Sequence, residues 1–568
     1  MAERNFQTES AGKFSDLFPY FICRVAGISA QYMEQLRAGE SEKLFEALYE
    51  TEKQLHLNLE AISPGLEHLR TLTTLTLRLA WPRVEQATMR HFFDVYYGRE
   101  ARAVSLLQFY EDYYREHFKA HIEKEQKLQA GIGEEELKEY NFANPFNLEI
   151  IRQIQAAQMR LTNLIRDRWK EAPEAEEITI ETKGVEAIIE EVEPLPFNTC
   201  RSVSCFTQLV PNFSADKVSA LIVQNGNYLV EYGKFFSRFL YMFPESIQNK
   251  LYAENMALTD QYLAEICGDA KFNANLHPPL LRWELSYPTG ESGLAEKQIR
   301  SSEICVEADP NDRHALCLRH GPTGKWVIPV DLGFMNPRMR PPLYQLLLRF
   351  TPPSMFWIQM PETLGPQENA ISISKRAISS IPPLENFRQA QIIYRPRVTY
   401  SRFLILSRRL WQVPSDLFPH RLPKEKSCEY FVRVNRWRKE NGIPQEVFVR
   451  VRPLPQRHQD NDKSHESQDS PQNERVENAV MGNVASRDLY KPQYIDFSNP
   501  LLVKLFGRMA ASLKHFVANL EERLPSAENL LDYQNNRYVT EFILQFNFPD
   551  GKTVSTHAAE ANHKQHAE

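Results

Sequence analysis

The sequence predicts an α+β protein with a helical N-terminal third followed by a mixed, sheet-rich region with flanking helices. Three observations carry that reading. Apolar residues recur at helical spacing through most of residues 31–170. From about Thr199 the pattern changes to β-branched and aromatic runs separated by turn residues. Between Tyr394 and Arg452 such runs combine with dense positive charge: Arg388 to Arg452 contains fifteen Lys or Arg against five Asp or Glu, in a chain of formal net charge −6. A basic island on an acidic chain points to a polyanion or a carboxylate-rich partner.

The elements follow in order. LFPYFICRVAGIS, at 17–29, fits a strand. YMEQL and KLFEALYETEKQLHLNLEAI place apolar residues at i, i+3, i+4 and i+7 and predict helices up to residue 62. RVEQATMRHFFDVYYG predicts a helix ending at Gly98, and amphipathic helices are expected over 105–129 and 148–170. Residues 171–193 hold nine Glu and one Lys. They read as a solvated connector leading into a short helix, with an acidic docking surface as the other reading.

TCRSVSCFTQLV, SALIVQNG, LLRWELSY and ALCLRHGPTGKWVIPV read as strands, with HGPTGK as a hairpin turn. PRMRPPLYQLLLRF opens extended at its prolines and continues as a helix. The basic block is expected to be strand-rich. Residues 453–490 have almost no bulky apolar content and read as a disordered loop. Asp496, Ser498 or Asn499 is placed to cap a helix with Pro500 in its first turn, and NRYVTEFILQFNF supplies a closing strand. The expected organisation is an N-terminal strand and helical region (1–170), an acidic connector (171–198), a sheet-rich core with the basic block (199–452), the loop (453–490), a C-terminal helix and strand (491–550) and a disordered tail (551–568).

At 568 residues the chain exceeds one core, so two to four domains are expected. With 42% apolar and 25% charged residues it has the composition of a soluble globular protein. No apolar run approaches the ~18 residues of a membrane span. MAERNFQTES has no apolar stretch of the kind a secretion signal needs, so a cytoplasmic location is expected. The seven cysteines (Cys23, Cys200, Cys205, Cys267, Cys305, Cys317, Cys428) form no C-x-x-C pair and read as reduced thiols. His557, His563 and His566 lie in a polar tail and suggest no metal site.

No G-x-x-x-x-G-K-[ST], G-x-G-x-x-G, G-x-S-x-G or H-E-x-x-H occurs, so phosphate cradles, the nucleophile elbow and the zinc-protease helix are excluded. The arginines remain. On an ideal strand Arg395 and Arg397 share one face, and Arg402 shares the other with Tyr400. Trp411 and Trp437 suit either stacking or core packing. Arg408, Arg409, Arg436 and Arg438 suit either polyanion binding or a charged strand edge that resists aggregation. Sequence-specific reading of duplex DNA is not expected, for want of a helix-turn-helix or zinc-finger signature.

Taken in order, several segments resemble the N-terminal domain of lantibiotic (lanthipeptide) dehydratases. They are LFPYFICRVAGIS, AISPGLEHL, FFDVYYGRE, VEYGKFFSRFL, KWVIPVDLGFMNPRMRPPLYQLLLRF, PRVTYSRFLILSRRLW, FVRVNRWRKENGIPQEVFV, YIDFSNPLLVKLF and RYVTEFILQF. The resemblance implies transfer of glutamate from glutamyl-tRNA to Ser or Thr of a precursor peptide, the first step of dehydration. Glutamyl-tRNA would be the co-substrate, with no bound cofactor or metal. Arginine suits such chemistry, because it holds phosphates by charge and carboxylates in bidentate geometry.

By resemblance, Arg24, Asp94 and Arg397 are the catalytic candidates, and Arg395, Arg402, Arg408 and Arg409 the tRNA-binding ones. The family's Thr-Pro-Phe-Gly block is absent, as is its intervening stretch with a leader-peptide clamp, and Thr399 stands where the family often has arginine. Arg70 and Arg78 are the available substitutes. The elimination domain is expected on a separate protein, and homodimerisation is a further expectation. The alternatives are a non-catalytic shortened homologue that binds tRNA or peptide, or an internally deleted, poorly folded product.

Overall fold

The computed structural model describes residues 21–25, 59–99, 103–120, 123–124, 144–194, 202–214, 217–230, 232–237, 240–266, 277–286, 297–334, 340–351, 391–453, 492–511, 513, 515–533 and 536–547. β1 (Phe21–Val25) comes first, then α1 (Leu59–Thr76), α2 (Trp81–Tyr97), β2 (Val104–Ser105), α3 (Leu106–Tyr113) and α4 (Glu149–Glu171). β3 (Glu177–Ile180) and α5 (Thr182–Glu190) precede the long hairpin of β4 (Ser202–Ser214) and β5 (Lys217–Val230). The middle of the chain holds α6 (Lys234–Ser237), α7 (Glu245–Ala257), β6 (Tyr262–Ile266), β7 (Trp283–Ser286), β8 (Lys297–Arg300), β9 (Ile304–Ala308), β10 (Leu316–His320), β11 (Trp326–Val330) and α8 (Pro342–Leu348). The basic block contains β12 (Ile393–Arg395), β13 (Arg397–Tyr400), β14 (Leu404–Ser407), β15 (Leu410–Pro414), α9 (Ser427–Glu440) and β16 (Glu446–Pro453). β17 (Gln493–Asp496), α10 (Pro500–Met509), β18 (Phe516–Glu522), β19 (Leu531–Tyr533), β20 (Asn536–Tyr538) and β21 (Thr540–Asn547) follow. The class is α+β.

Among the described residues three larger sheets form, each with its own helical cover. The first runs β1-β21-β4-β5-β14-β13-β3, the second β2-β9-β10-β11-β6-β7-β8, and the third β12-β15-β18-β16-β17. On α1, the spacing of Ile62, Leu66, Leu69 and Thr73 puts one buried stripe against the first sheet, alongside Ile150, Ile154, Leu161 and Ile165 of α4. Gly65 is needed where α1 meets β5, since a Cβ there would lie 2.9 Å from Ile222 Cδ1.

The second sheet is covered on both faces. Along β6, Tyr262, Ala264 and Ile266 join the core made with α2, α3 and α8, while Leu263 points into the core of the first sheet. The third sheet buries Val447, Val449 and Val451 of β16 beneath α9 and α10.

Several expectations hold. Gly98 follows α2 with φ 87°, a conformation glycine accepts readily. Antiparallel β10 and β11 flank HGPTGK. Pro lies in the first turn of α8, and the Asn499 side chain accepts from the N–H groups of Leu501 and Leu502 to cap α10. The helices expected before residue 59, the tail at 551–568 and the loop at 453–490 apart from Pro453, which ends β16, lie outside the described residues.

Three expectations are corrected. The acidic connector contains a strand, β3, parallel to β13, because Ile178 and Ile180 can be buried there. FVRVNRWRKE is helical: Tyr430, Val434 and Trp437 recur at helical spacing against the third sheet, while Val432 is 56% exposed. Arg436 and Arg438 are therefore not on a strand edge. Finally, Arg395 and Arg397 do not share a strand face. Pro396 separates β12 of the third sheet from β13 of the first, so the chain changes sheets between the two arginines.

Candidate functional site at the junction of two sheets

The hairpin PRVTYSRFLILSRRLW crosses between sheets twice. It enters the first sheet at Pro396 and leaves it at Arg408–Arg409, where β14 gives way to β15. Backbone bonds persist at this corner, Arg397 N–H donating to the Glu176 carbonyl at 2.9 Å and Glu522 N–H to that of Arg409 at 3.0 Å, and side chains add to them. Arg397 donates to both carboxylate oxygens of Glu522, Nε to Oε1 at 2.9 Å and Nη2 to Oε2 at 2.9 Å, and also to Glu177 at 3.1 Å. Arg409 donates to the same Glu522 from its backbone N–H at 2.9 Å and its Nε at 2.7 Å, and pairs with Glu176 at 3.0 Å. The Glu522 side chain is 3% exposed.

Electrostatics follows from this geometry. Burial works against the charge on Arg397, but the hydrogen bonds and charge of Glu522 outweigh it and raise its pKa. Burial also pushes the Glu522 carboxyl up, yet Arg397 and Arg409 hold it below its ordinary range. Arg408 donates to Gln208 and to the Leu524 carbonyl and pairs with Glu521 at 3.5 Å. Arg395, 6% exposed, donates to Gln412. Trp411 is buried in the core, 5.6 Å from the Arg409 guanidinium, and Trp437 packs on the same core. The acidic stretch that looked solvated thus supplies carboxylates to the basic block.

Arg402 differs. It sits at the β13–β14 turn with φ 60°, is exposed, and has no hydrogen-bond or ion-pair partner among the described residues. Beneath the turn His68 of α1 stacks on Phe403, with ring centroids 4.9 Å apart, and meets Tyr400 edge-on. Thr182 and Ser401 share a hydrogen bond that ties α5 to the turn. Burial lowers the pKa of His68 and pushes the Tyr400 hydroxyl up to about 12. The turn is anchored from below and leaves one cation free at its tip. Thr399 donates to Glu177 at 3.1 Å.

The three catalytic candidates do not converge. Arg24 lies on β1, opposite Glu541 and five strand steps from Arg397, about 24 Å at the usual strand spacing. Asp94 lies on α2, over the second sheet, and pairs with Arg90 at 3.1 Å. Arg78 is half-buried, and burial lowers its pKa against the charge of Glu190; Arg70, eight residues earlier on α1, is also half-buried.

One buried polar group was not singled out from the sequence. Asp331, just after β11, accepts from Lys234 Nζ at 2.9 Å, from the Tyr344 hydroxyl at 2.7 Å and from the Gly333 N–H at 2.9 Å, with Arg340 at 3.7 Å. Burial and the charge of Asp331 push the Tyr344 hydroxyl far up. Nearby, burial would lower the His277 pKa, but its hydrogen bond to Glu265 at 3.0 Å prevails and raises it. The available signal was the density of polar residues inside KWVIPVDLGFMNPRMRPPLYQ and VEYGKFF, where a buried charge must find partners. No cluster of potential metal ligands occurs among the described residues.

No protein-family profile and no curated protein matches the chain. Solved structures do. TbtB, the glutamylation domain from thiomuracin biosynthesis, superposes with a TM-score of 0.54 at 19% identity, covering 87% of this chain and 51% of that one. The chain has the fold of a glutamylation domain. The same protein bound to 5'-phosphodesmethylglutamycin gives a TM-score of 0.53 at 20% identity, covering 86% and 50%. The tRNA-dependent lantibiotic dehydratase MibB from Microbispora sp. 107891 gives 0.45 at 18%, covering 70% and 32%. The glutamylation-domain fold therefore accounts for most of this chain, which spans about half the length of the TbtB chains it matches. Among the described residues no helix is long and apolar enough to cross a membrane.

Proposed function

We propose that this protein transfers glutamate from glutamyl-tRNA to Ser or Thr side chains of a precursor peptide, with elimination carried out by a separate protein. The supporting observation is the superposition on a glutamylation domain over 87% of the chain, with the segments that suggested the family from sequence falling on β1, α1, α2, α6, β11 and the sheet-switching hairpin. In this reading Arg402 meets a tRNA phosphate, since it is the candidate in the basic block with no ion-pair partner among the described residues. Arg24 and Asp94 remain proposed catalytic positions on other elements, and Arg397 holds the corner through Glu522. Arg395, Arg408 and Arg409 would assist tRNA binding through the field of the corner rather than by direct contact. A homodimer would allow Arg24 of one copy to act beside the corner of another.

The second reading is a homologue that binds tRNA or peptide without transferring glutamate. It is favoured by the engagement of Arg397 and Arg409 with Glu522 and by the absent Thr-Pro-Phe-Gly block. Incubation with glutamyl-tRNA and a Ser/Thr-rich precursor, followed by mass spectrometry, separates the two. Glutamyl adducts support transfer, whereas salt-sensitive tRNA retention without adducts supports the second reading.

A further inference from the structure

A second cationic region lies away from the sheet-switching corner. Between the first turn of α9 and the outer face of α10 is a cavity of about 130 Å³, lined in part by Arg421, Ser427, Tyr430, Lys504, Gly507 and Arg508. Its walls also include Pro500, Val503 and Ala511, so it is a shaped recess rather than a flat charged patch.

The two α10 charges in this recess lack counterions among the described residues. Lys504 and Arg508 are exposed, one helical turn apart on α10, and no carboxylate among the described residues lies within ion-pair distance of either. Like charges at i and i+4 repel, so the helix carries them at a cost. Arg421 donates to the Glu425 carbonyl at 2.7 Å and to Ser427 Oγ at 3.3 Å, which fix the guanidinium, and its charge also helps hold the Glu425 carboxyl low. The Glu425 carboxylate is directly hydrogen-bonded by Arg433 Nε at 2.8 Å, Arg433 Nη2 at 2.9 Å and the Leu422 N–H at 3.0 Å. The 14-residue α9 directs its N-terminal dipole toward the same space.

An independent observation points to a ligand. Tyr430 is 3% exposed, and its hydroxyl has no hydrogen-bond partner among the described residues. The hydroxyl lies against Gly507, where a Cβ would come within 2.6 Å of it. A buried hydroxyl without an acceptor is unfavourable unless a ligand supplies one.

We infer that this cavity binds a phosphoryl group of a small phosphate monoester, with the Tyr430 hydroxyl donating to it and Arg421, Lys504 and Arg508 balancing its charge. Phosphate offers acceptor oxygens to the tyrosine and to the helix N-terminus at once, and its dianion matches three cations better than a single carboxylate does.

The test uses the full chain at low ionic strength and follows binding of inorganic phosphate, adenosine 5'-monophosphate and adenosine by calorimetry. Saturable binding of the first two is expected. Lys504→Ala with Arg508→Ala should raise Kd about tenfold or more, and Tyr430→Phe about threefold, as loss of charge-assisted hydrogen bonds predicts. Both replaced cations are exposed, so the double variant should melt like wild type. Equal affinity for phosphate and the mononucleotide assigns the site to a free anion, and tighter mononucleotide binding assigns it to a nucleotide-borne phosphate. The inference is overturned if phosphate binding does not saturate, if the double variant binds as wild type does, or if adenosine competes as well as its monophosphate.

Discussion

Two cationic regions of the molecule use their charges in opposite ways. At the sheet-switching corner Arg397 and Arg409 converge on Glu522, which is almost wholly buried, and the start of β3 adds Glu177 with Glu176 just before it. At the cavity between α9 and α10, Lys504 and Arg508 have no counterion among the described residues, and Arg421 bonds to neutral oxygens. Charge density along a sequence thus says little about charge available to a partner. What decides is whether the fold brings carboxylates to the same place. The corner receives them because β3 and β18 pair with its strands there, and the cavity does not.

The sharpest way to break this contrast is Glu522→Ala. It leaves two guanidiniums buried without their shared partner and should cost about 3–5 kcal/mol, read as a large fall in the denaturation midpoint. If that variant melts like wild type, the corner is not an ion-paired brace. Gly507→Ala tests the other half. The new methyl group would collide with the Tyr430 hydroxyl and should destabilise by about 1–3 kcal/mol while narrowing the cavity. Arg402→Glu should leave the melt within about 0.5 kcal/mol of wild type. In a retention assay it should weaken tRNA binding and lower the slope of log affinity against log salt by about one.

The contrast also has a pH signature. Glu522 has a depressed folded pKa, so its contribution is fully present above the unfolded value of about 4.3 and is lost as pH falls through the folded one. Glu425 behaves alike: its carboxyl is held at about 2, chiefly by its hydrogen bond to Arg433, although burial opposes this. His277 has the opposite sign. Its raised pKa gives stability that is complete below about 6.5 and lost as pH rises through the folded value. Acid melts of Glu522→Gln and Glu425→Gln should show shallower loss between pH 5 and 2, within roughly the range where carboxylates titrate. His277→Asn should flatten only the region above about pH 6.5, the smallest effect of the set.

Local signals made much of the fold legible. Gly98, Asn499 with Pro500, and HGPTGK each have a backbone requirement that names a cap or a turn. FVRVNRW misled because its apolar and charged residues alternate over a few positions, a strand pattern. Extending the window to Tyr430, Val434 and Trp437 exposes the helical period that the third sheet selects. β3 was hidden because two isoleucines among glutamates give little signal until β13 is there to pair with them. Among the site candidates, sequence could find the arginines but not their partners, since Glu522 lies 125 residues from Arg397. Arg395 and Arg397 were expected on one strand face, and nothing local says that the sheets change at Pro396 between them.

The register of β1 sets a timetable for folding. Phe21 pairs with Leu544, and β21 lies between β1 and β4. A chain emerging from the ribosome therefore holds two unsatisfied strand edges until its last described strand has been made. Contacts of such sequence separation slow folding and leave those edges open to strands of other chains. Truncation before Thr540 should thus yield a product whose first failing is aggregation, even though the second and third sheets, which do not use β21, are complete within it.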